Sequence, residues 1–471
     1  MPTHKRTLSA QQRSSDMGVL LLVIAAFGPY VVSGVRTEQL AVFAIAGIAL
    51  LARARQLSAT PLAALLAGYV SFAAVAAIGP AEQLSGHGAV GFWAGLDNLA
   101  LPLAALTAGS LIAAGQVDRA RLIRIVAGAL LILLAANSVA SYVSLMNPGQ
   151  YDHVLSMWWS GASEITTAER AATMGRYSGI FNQPAEAGVM YSIGIVAAAY
   201  LLRRRLILFA TAGVTLTLGG LLTASKVFLL VGLPIALWQT WAGSTWRTRT
   251  GTVIAVAGVL AAFDYQTRQS GSPIGGVLLG TWLHPGERSQ SLLSLYTAGR
   301  FGEQSVLADI ASIVLKYSPF AGFGLDGMRV PYDSTWVEAL VMAGVIGLVL
   351  QALIIAVLVW SWLRVRRWAD PAAVRFGAGL VAIVVAGSTG LTVTTGNRIA
   401  TVVWLLVALL LVAPPARSLR VAAPPPAEAP IPTRVVRNPR PGSLTLRVED
   451  RRSVGEIPWP VPTRPLAVHK R

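Results

Sequence analysis

From Thr335 to Leu363 the chain reads TWVEALVMAGVIGLVLQALIIAVLVWSWL, and this stretch decides the fold class. Glu338 is its only charged residue, and most of the other residues are apolar. A bilayer core is about 30 Å thick, so a helix needs roughly 20 apolar residues to cross it. The stretch is therefore long enough to span a membrane as one helix.

Working outward from this stretch, the same criterion predicts about twelve transmembrane helices in an all-α, polytopic bundle with an extracytoplasmic loop subdomain. The predicted spans are 17–33, 38–52, 61–79, 92–115, 122–146, 185–202, 205–222, 227–242, 251–266, 335–363, 372–392 and 398–413. The apolar runs are continuous rather than alternating. A transmembrane β-barrel is therefore excluded, because its strands alternate lipid-facing and lumen-facing residues.

The composition supports a membrane protein and excludes several kinds of site. The chain has 471 residues, of which 54% are hydrophobic and 13% charged, whereas soluble domains carry about 25% charged residues. It has no cysteine, which excludes disulfides and thiolate chemistry, and its five histidines lack metal-ligand spacing. We expect no metal and no cofactor. The net charge of +17 indicates contact with anionic membrane lipids rather than with nucleic acid.

The basic residues also predict an orientation. The connections after the second, fourth, sixth, eighth and tenth spans each carry two or more arginines. Because basic connections face the cytoplasm, both termini are predicted to be cytoplasmic, with residues 1–16 as the N-terminal segment. The first span is interpreted as a signal anchor. The two longest connections, 147–184 and 267–334, are predicted to lie on the extracytoplasmic side.

The predicted organisation has two helical blocks and a tail. The first nine spans occupy 17–266, and the last three occupy 335–413. Half of the chain's prolines fall in 414–471, among many arginines, so this segment is predicted to be a disordered cytoplasmic tail. The tail is either simply solvated near anionic lipid or a docking site for a cytosolic partner.

Two cations stand at predicted outer turns. Arg176 lies in the Gly-rich segment before the sixth span, and a guanidinium offers a planar donor fork suited to phosphate. Lys226 lies between the seventh and eighth spans, beside Thr223 and Ser225. The alternatives are an interfacial arginine that reaches lipid headgroups and a lysine that ends a short hairpin.

The large loop 267–334 adds a third cation and an amphipathic helix. Val306, Leu307, Ile310, Ile313 and Val314 recur at helical spacing, which predicts a helix lying on the bundle or at the membrane interface. Arg300 precedes this helix in a loop. The segment 318–324 then carries the Pro and Gly residues typical of a turn.

An acidic pair leads into the tenth span. Asp333 or Ser334 could serve as the N-cap of that helix, and Glu338 follows one turn later. An acid at this depth is costly and requires a partner or a function. Three cations (Arg176, Lys226, Arg300) and two acids are thus predicted on one side of the membrane. Cations can stabilise a diphosphate leaving group and a carboxylate can deprotonate a hydroxyl, without a metal.

At this point the chain resembles the superfamily of O-antigen ligases and Wzy-type repeat-unit polymerases. The resemblance covers the span count, the topology and the long loop before the tenth span. Its local motifs are Gly175–Asn182, Leu222–Lys226, Gly299–Arg300, Pro319–Gly324 and Asp333–Leu348. Arg176 and Arg300 match family positions that engage the diphosphate of an undecaprenyl-linked glycan.

The chain departs from the family pattern at two places. Lys226 stands where the motif usually has arginine, which would replace a bidentate contact with a point charge. Ligases typically carry a His-Asn pair before the tenth span, whereas this chain has Asp333 and Ser334. Acid-containing variants look more like repeat-unit polymerases, so the resemblance favours polymerase over ligase.

The resemblance implies inverting glycosyl transfer at the extracytoplasmic face of a bacterial inner membrane. The implied donor and acceptor are undecaprenyl-diphosphate-linked oligosaccharides, with Arg176, Arg300 and Lys226 on the diphosphate and Asp333 or Glu338 at the attacking hydroxyl. A flippase and a chain-length regulator are partners expected from the family. The alternatives are a ligase that transfers glycan to a lipid A core or to a protein, and a polytopic transporter or lipid flippase.

Overall fold

The computed structural model is mainly helical over the residues that it describes. These residues are 2–32, 34–53, 60–79, 91–114, 117–159, 165–242, 305–327, 334–367 and 369–411, with single positions between 246 and 261. The helices are α1 (Pro2–Ala26), α2 (Thr37–Arg53), α3 (Thr60–Ile78), α4 (Phe92–Ala114), α5 (Arg119–Met146), α6 (Asp152–Leu155), α7 (Thr167–Thr173), α8 (Pro184–Leu202), α9 (Leu206–Leu222), α10 (Leu233–Trp241), α11 (Val306–Tyr317), α12 (Thr335–Val365), α13 (Pro371–Gly387) and α14 (Asn397–Leu411).

Three smaller elements accompany these helices, and one of them is a 3₁₀ helix at Ser156–Trp158. The antiparallel strands β1 (Tyr30–Val32) and β2 (Val35–Arg36) pair between α1 and α2. A π-helical turn, Phe228–Gly232, immediately precedes α10. Such turns interrupt regular helices and are often found at functional sites.

Within the described residues, five helices are long and apolar enough to cross a membrane. They are Pro61–Ile78, Gly95–Ala114, Arg119–Met146, Pro184–Leu202 and Thr335–Val365. Four shorter apolar helices accompany them: Leu206–Leu222, Phe228–Trp241, Pro371–Gly387 and Arg398–Leu411. These helices indicate a membrane-embedded protein and confirm the mainly helical class. The count of about twelve spans is not confirmed.

Several predicted segments lie outside the described residues. The ninth span, 251–266, does so apart from single positions, as do most of the large loop up to residue 304 and the tail 414–471. Their predicted structure stays a prediction.

Helix α14 forms the centre of the bundle. Every residue from Arg398 to Leu411 is buried. A helix that is apolar on all sides must be covered on all sides. It packs most extensively against α4, and α1 also contacts it, while α12 packs against α3. The indole of Trp404 is fully buried in this core and makes an edge-to-face contact with Tyr69 at 5.3 Å.

The two ends of the bundle differ in chemistry. At one end, here called the basic end, arginines of the short connections join neighbouring helix termini. The contacts are Arg53 to the Leu111 carbonyl at 3.1 Å, Arg121 to Asp16 at 2.8 Å, and Arg203 to the Ala242 carbonyl at 3.1 Å. The opposite end, here called the loop end, carries residues 147–159 and 165–184. The basic connections are therefore gathered at one end, as their alternation along the sequence requires.

Helix α12 is broken near its first third, although its sequence predicts one continuous span. Ala343 and Gly344 leave helical geometry, and Gly344 has φ +60° and ψ −151°. This conformation is essentially restricted to glycine. Residues 318–327 fill the break: the amides of Phe323 and Gly324 donate to the carbonyls of Val341 and Met342 at 2.6 and 3.1 Å.

The predicted span 372–392 is too long at its C-terminal end, because α13 ends at Gly387. Residues 388–396 are non-helical, yet largely buried. Their backbone is bonded from neighbouring elements: Ser334 Oγ donates to the Ser388 carbonyl at 3.1 Å, and Thr335 Oγ1 donates to the Leu391 carbonyl at 2.9 Å. These bonds give partners to main-chain carbonyls that would be bonded within the helix if the helix continued.

Helix α11 is amphipathic, as its spacing predicts. Leu307, Ile310 and Val314 are buried and form a cluster with Phe323 and residues of the first part of α12. Ser305 caps its N-terminus, accepting the Ala308 amide at 3.1 Å. The helix therefore holds the 318–327 segment against α12.

Candidate functional site

Two turns singled out by the sequence meet at the loop end. They are the Arg176 turn, residues 174–184, and the Lys226 turn, residues 222–226. The Tyr177 amide donates to the Leu222 carbonyl at 2.8 Å, and Arg176 Nε donates to the Thr223 carbonyl at 3.2 Å. Two segments 47 residues apart in the chain are thus joined, and the guanidinium of Arg176 is oriented by its Nε bond.

The Lys226 turn has a strained and buried backbone. Ala224 adopts φ +46°, a left-handed conformation that costs an L-residue about 1–2 kcal/mol. The buried Thr223 hydroxyl holds this shape, because it donates to the Gly220 carbonyl at 2.6 Å and accepts the Ser225 amide at 3.2 Å. Lys226 follows directly and is half-buried. Strain of this kind is often retained at functional sites.

A cavity of about 410 Å³, here called the loop cavity, opens beside the Arg176 turn. Its lining includes Ser144, Asp152, Trp159, Glu169, Arg176 and Tyr177. Small-molecule sites typically have volumes of about 300–1,000 Å³. The loop cavity therefore has the size of a ligand site and shares Arg176 with the contact to the Lys226 turn.

Two carboxylates line the loop cavity. Glu169 is part of the capping box of α7: it accepts the Thr166 amide at 2.5 Å, while its own amide donates to Thr166 Oγ1 at 3.2 Å. Asp152 begins the short helix α6 and is half-buried. Burial raises the pKa of the Asp152 carboxyl above its usual value, and the negative charge of Glu169 adds to the increase.

The aromatic residues of the loop cavity are fixed in place. Trp159 Nε1 donates to the Gly179 carbonyl at 2.9 Å. Tyr177 is 8% exposed, and burial together with the negative charge of Asp152 raises the pKa of its phenol. Gly179 has φ +61°, and a Cβ there would lie 2.2 Å from Asn137 Oδ1. The turn is therefore closely packed on α5, and glycine is required at this position.

Glu338 is buried at the start of α12, as its position in the sequence suggests, and it has partners. Asn98 Nδ2 of α4 donates to Oε1 at 3.3 Å, and Thr395 Oγ1 donates to Oε2. These bonds join α12 to α4 and to the non-helical segment 388–396. The carboxylate is consequently well positioned to hold these three elements together.

Two of the predicted site residues, Arg300 and Asp333, lie outside the described residues, and their roles stay predictions. Ser334, the neighbour of Asp333, is the N-cap of α12 and accepts the Trp336 amide at 3.2 Å. Of the two N-cap candidates in the sequence, Ser334 therefore has this role. The structure brings Arg176 and the Lys226 turn together, and it places Glu338 in a separate buried network.

Arg398, which the sequence reasoning did not identify, is an arginine at the loop end that bonds to several segments. It is 2% exposed and donates to three main-chain carbonyls, those of Ile180, Trp158 and Gly28, at 2.7, 3.0 and 3.2 Å. It thereby joins α14 to the end of α1, to the 147–184 loop and to the Arg176 turn. Its position at the start of an apolar run could have identified Arg398 from the sequence, because placing a charge at the edge of a membrane span is costly.

A second missed group surrounds Arg36. Its side chain pairs with Glu38 at 3.0 Å and with Asp97 at 3.1 Å, and Gln39 also donates to Asp97, at 2.5 Å. Arg36 and Arg398 both interact electrostatically with Glu38 and with Glu186 of α8. Acidic and basic side chains thus lie close together at the loop end.

Comparison with known proteins adds no assignment. No protein-family model matches the chain, and no characterised protein matches it significantly in sequence. Over the described residues, no three His, Asp or Glu side chains are grouped closely enough to hold a metal ion. What the geometry offers chemically is a cation beside an aromatic-lined cavity that contains carboxylates.

Proposed function

We propose that the chain is a membrane glycosyltransferase that polymerises undecaprenyl-diphosphate-linked oligosaccharide repeat units on the extracytoplasmic face of a bacterial inner membrane. In this proposal the loop end faces the extracytoplasmic side, and both termini are cytoplasmic. The reaction is an inverting transfer that requires no metal. A hydroxyl of one lipid-linked repeat attacks the anomeric carbon of another, and undecaprenyl diphosphate leaves.

The observation that carries the proposal is the bond between Arg176 Nε and the Thr223 carbonyl, at the edge of the loop cavity. It brings a guanidinium to the turn that carries Lys226. A pair of cations suits a diphosphate, and a guanidinium oriented in advance stabilises the charge that develops on a leaving group. Arg300 is the third cation of the proposal.

The acids have different roles in this proposal. Both oxygens of Glu338 accept hydrogen bonds, from Asn98 and Thr395. This supports a role for Glu338 in orienting the site, through the junction of α12 with α4. Asp333 is then the candidate that activates the attacking hydroxyl.

A polytopic transporter or lipid flippase is the second candidate, because α12 is broken at Ala343 and Gly344. Transporters place broken helices around substrate sites in the membrane. Here, however, backbone groups freed by the break are bonded to residues 318–327, which fill it. Because these groups have protein partners, the broken helix does not favour transport. The loop cavity favours chemistry at the membrane surface instead.

The test is the glycan size profile of a deletion strain complemented with variants. Wild type is expected to restore polymer. Arg176→Ala is expected to reduce the amount of polymer about 100-fold, because it removes a group that stabilises transition-state charge. Arg300→Ala is expected to behave like Arg176→Ala. The matched control is Arg170→Ala, because Arg170 is exposed on the neighbouring helix α7 and is expected to be dispensable.

Each alternative has a distinct result in this experiment. A single repeat unit on its normal acceptor in the deletion strain indicates a polymerase. Polymer that forms but stays on undecaprenyl diphosphate indicates a ligase. Glycan of unchanged size and amount excludes both and favours transport.

A further inference from the structure

We propose that the loop cavity is the subsite for the acceptor sugar, and that Asp152 accepts hydrogen bonds from its hydroxyl groups. This inference rests on the proposed glycosyl transfer and names the part of the site that holds the nucleophile. The ligand class is an uncharged saccharide. The diphosphate of the donor lies outside the cavity, at Arg176 and the Lys226 turn.

Asp152 is a carboxylate of the loop cavity that is available to a ligand. Glu338 is bonded to Asn98 and Thr395, and Glu169 to the Thr166 amide. Glu38 and Asp97 pair with Arg36. Among the described residues, by contrast, none donates a hydrogen bond to the Asp152 carboxylate or forms an ion pair with it. It is half-buried in a cavity wall and therefore suited to accept bonds from hydroxyl groups.

The charge of the loop cavity selects the ligand class. Among the described residues, the charged side chains in its lining are Asp152, Glu169 and Arg176, so acids outnumber cations. A diphosphate inside the cavity would face two carboxylates, which would repel it. A neutral, hydroxyl-rich ligand meets no such penalty. The aromatic side chains of Trp159 and Tyr177 provide apolar surface for the carbon–hydrogen faces of a sugar ring.

The position of Arg176 connects the two parts of the reaction. The same residue lines the loop cavity and contacts the Lys226 turn. A sugar in the cavity therefore lies beside the group proposed to bind the donor diphosphate. This is the geometry that transfer requires, because acceptor hydroxyl and donor carbon must be held close together.

Saccharide binding to the purified full-length protein tests the inference. The probe is the oligosaccharide released by mild acid from the lipid-linked pool of the deletion strain, which lacks the diphosphate. In a saturation-transfer NMR titration, wild type is expected to bind it, and Asp152→Asn to bind about 10- to 100-fold more weakly, as for a lost charged hydrogen-bond acceptor. Asp152→Glu keeps the carboxylate and is expected to recover part of the affinity.

The matched control is Glu169→Gln, which removes a charge from the same cavity. Glutamine can replace glutamate in a capping box, so this variant is expected to remain folded and to bind within about threefold of wild type. Equal affinity of wild type and Asp152→Asn would overturn the inference, as would an equal loss in Glu169→Gln. Competition between inorganic diphosphate and the saccharide would also overturn the inference, because it would place the acceptor sugar and the donor diphosphate in one site.

Elongation of lipid-linked repeats by the same preparations separates this inference from the proposed function. If Asp152→Asn elongates the lipid-linked repeats as well as wild type does, the proposed acceptor subsite is wrong and the proposed polymerase function is retained. If wild type binds the saccharide in an Asp152-dependent way but does not elongate the repeats, the proposed saccharide site is retained and the proposed polymerase function is wrong.

Discussion

Arg398 shows how one buried residue organises the loop end. Its guanidinium donates to the carbonyls of Gly28, just after α1, of Trp158, and of Ile180 in the Arg176 turn. Such a residue determines where Arg176 stands, although it contributes no group to the proposed reaction.

Arg398→Met is expected to destabilise the fold by about 3–5 kcal/mol, because it leaves three carbonyls unpaired and removes the cation near Glu38 and Glu186. The measurement is the free energy of unfolding of the detergent-solubilised protein. Arg204→Met is the control, since Arg204 is exposed at the basic end. Similar stability of both variants would show that the Arg398 bonds contribute little.

At the residue scale the sequence predicted only part of the candidate site. Arg176 and the Lys226 turn were predicted together, since each is a cation in a polar turn between apolar runs. Asp152 and Arg398 were not predicted. Their importance depends on which other side chains already have partners and on which carbonyls lie nearby, and neither property is local in sequence.

Among the elements, α12 and the segment 318–327 form one interlocked unit. Gly344 breaks the helix, and the amide of Val345 donates to the Pro319 carbonyl at 2.8 Å. On the other side of the segment, the Leu325 amide donates to the Ala76 carbonyl of α3 at 3.0 Å. The segment therefore bridges α3 and α12 at the level of the break.

Gly344→Ala is expected to lower the free energy of unfolding by at least about 1–3 kcal/mol, because its φ and ψ are accessible to glycine alone. A Cβ would also lie 2.4 Å from the Phe320 carbonyl group. The measurement is denaturant unfolding in detergent. A variant as stable as wild type would contradict the docking of 318–327 into the break.

The matched control for this change is Gly47→Ala in the middle of α2. A Cβ at Gly47 meets no atom within 4 Å, and alanine favours the helix. This variant is expected to be at least as stable as wild type, so the pair isolates the effect of backbone geometry from that of adding a methyl group.

Across the whole molecule, the arginine-bearing connections and the loop cavity lie at opposite ends. The contacts of Arg53, Arg121 and Arg203 belong to the basic end, whereas Arg176 and Arg398 belong to the loop end. This separation is what a membrane protein with alternating spans requires. It makes the orientation testable without knowledge of the substrate.

The absence of cysteine from the chain makes that test simple. Met157→Cys, exposed at the loop end, is expected to react with a membrane-impermeant maleimide in intact spheroplasts. Arg204→Cys, exposed at the basic end, is expected to react only after permeabilisation. Labelling of both after detergent treatment is the control for reactivity. The reverse pattern would place the loop end in the cytoplasm and contradict the proposed function.

The sequence by itself determined the membrane class and the position of most helices, because crossing a bilayer depends on the length and hydropathy of a local run. Helices such as α4, α5 and α8 consequently begin and end within three residues of the predicted spans. It also placed Arg176 and Lys226 at connections between helices.

Only the tertiary structure decided where the helices break and which polar groups meet. The break at Gly344 exists because residues 318–327 supply the missing backbone partners. The segment 388–396 is non-helical because Ser334 and Thr335 supply partners for its carbonyls. The loop cavity likewise requires α5, α7 and the Arg176 turn to pack together. Hydropathy reports the cost of moving one segment into lipid, whereas these features depend on hydrogen bonds between segments far apart in the chain.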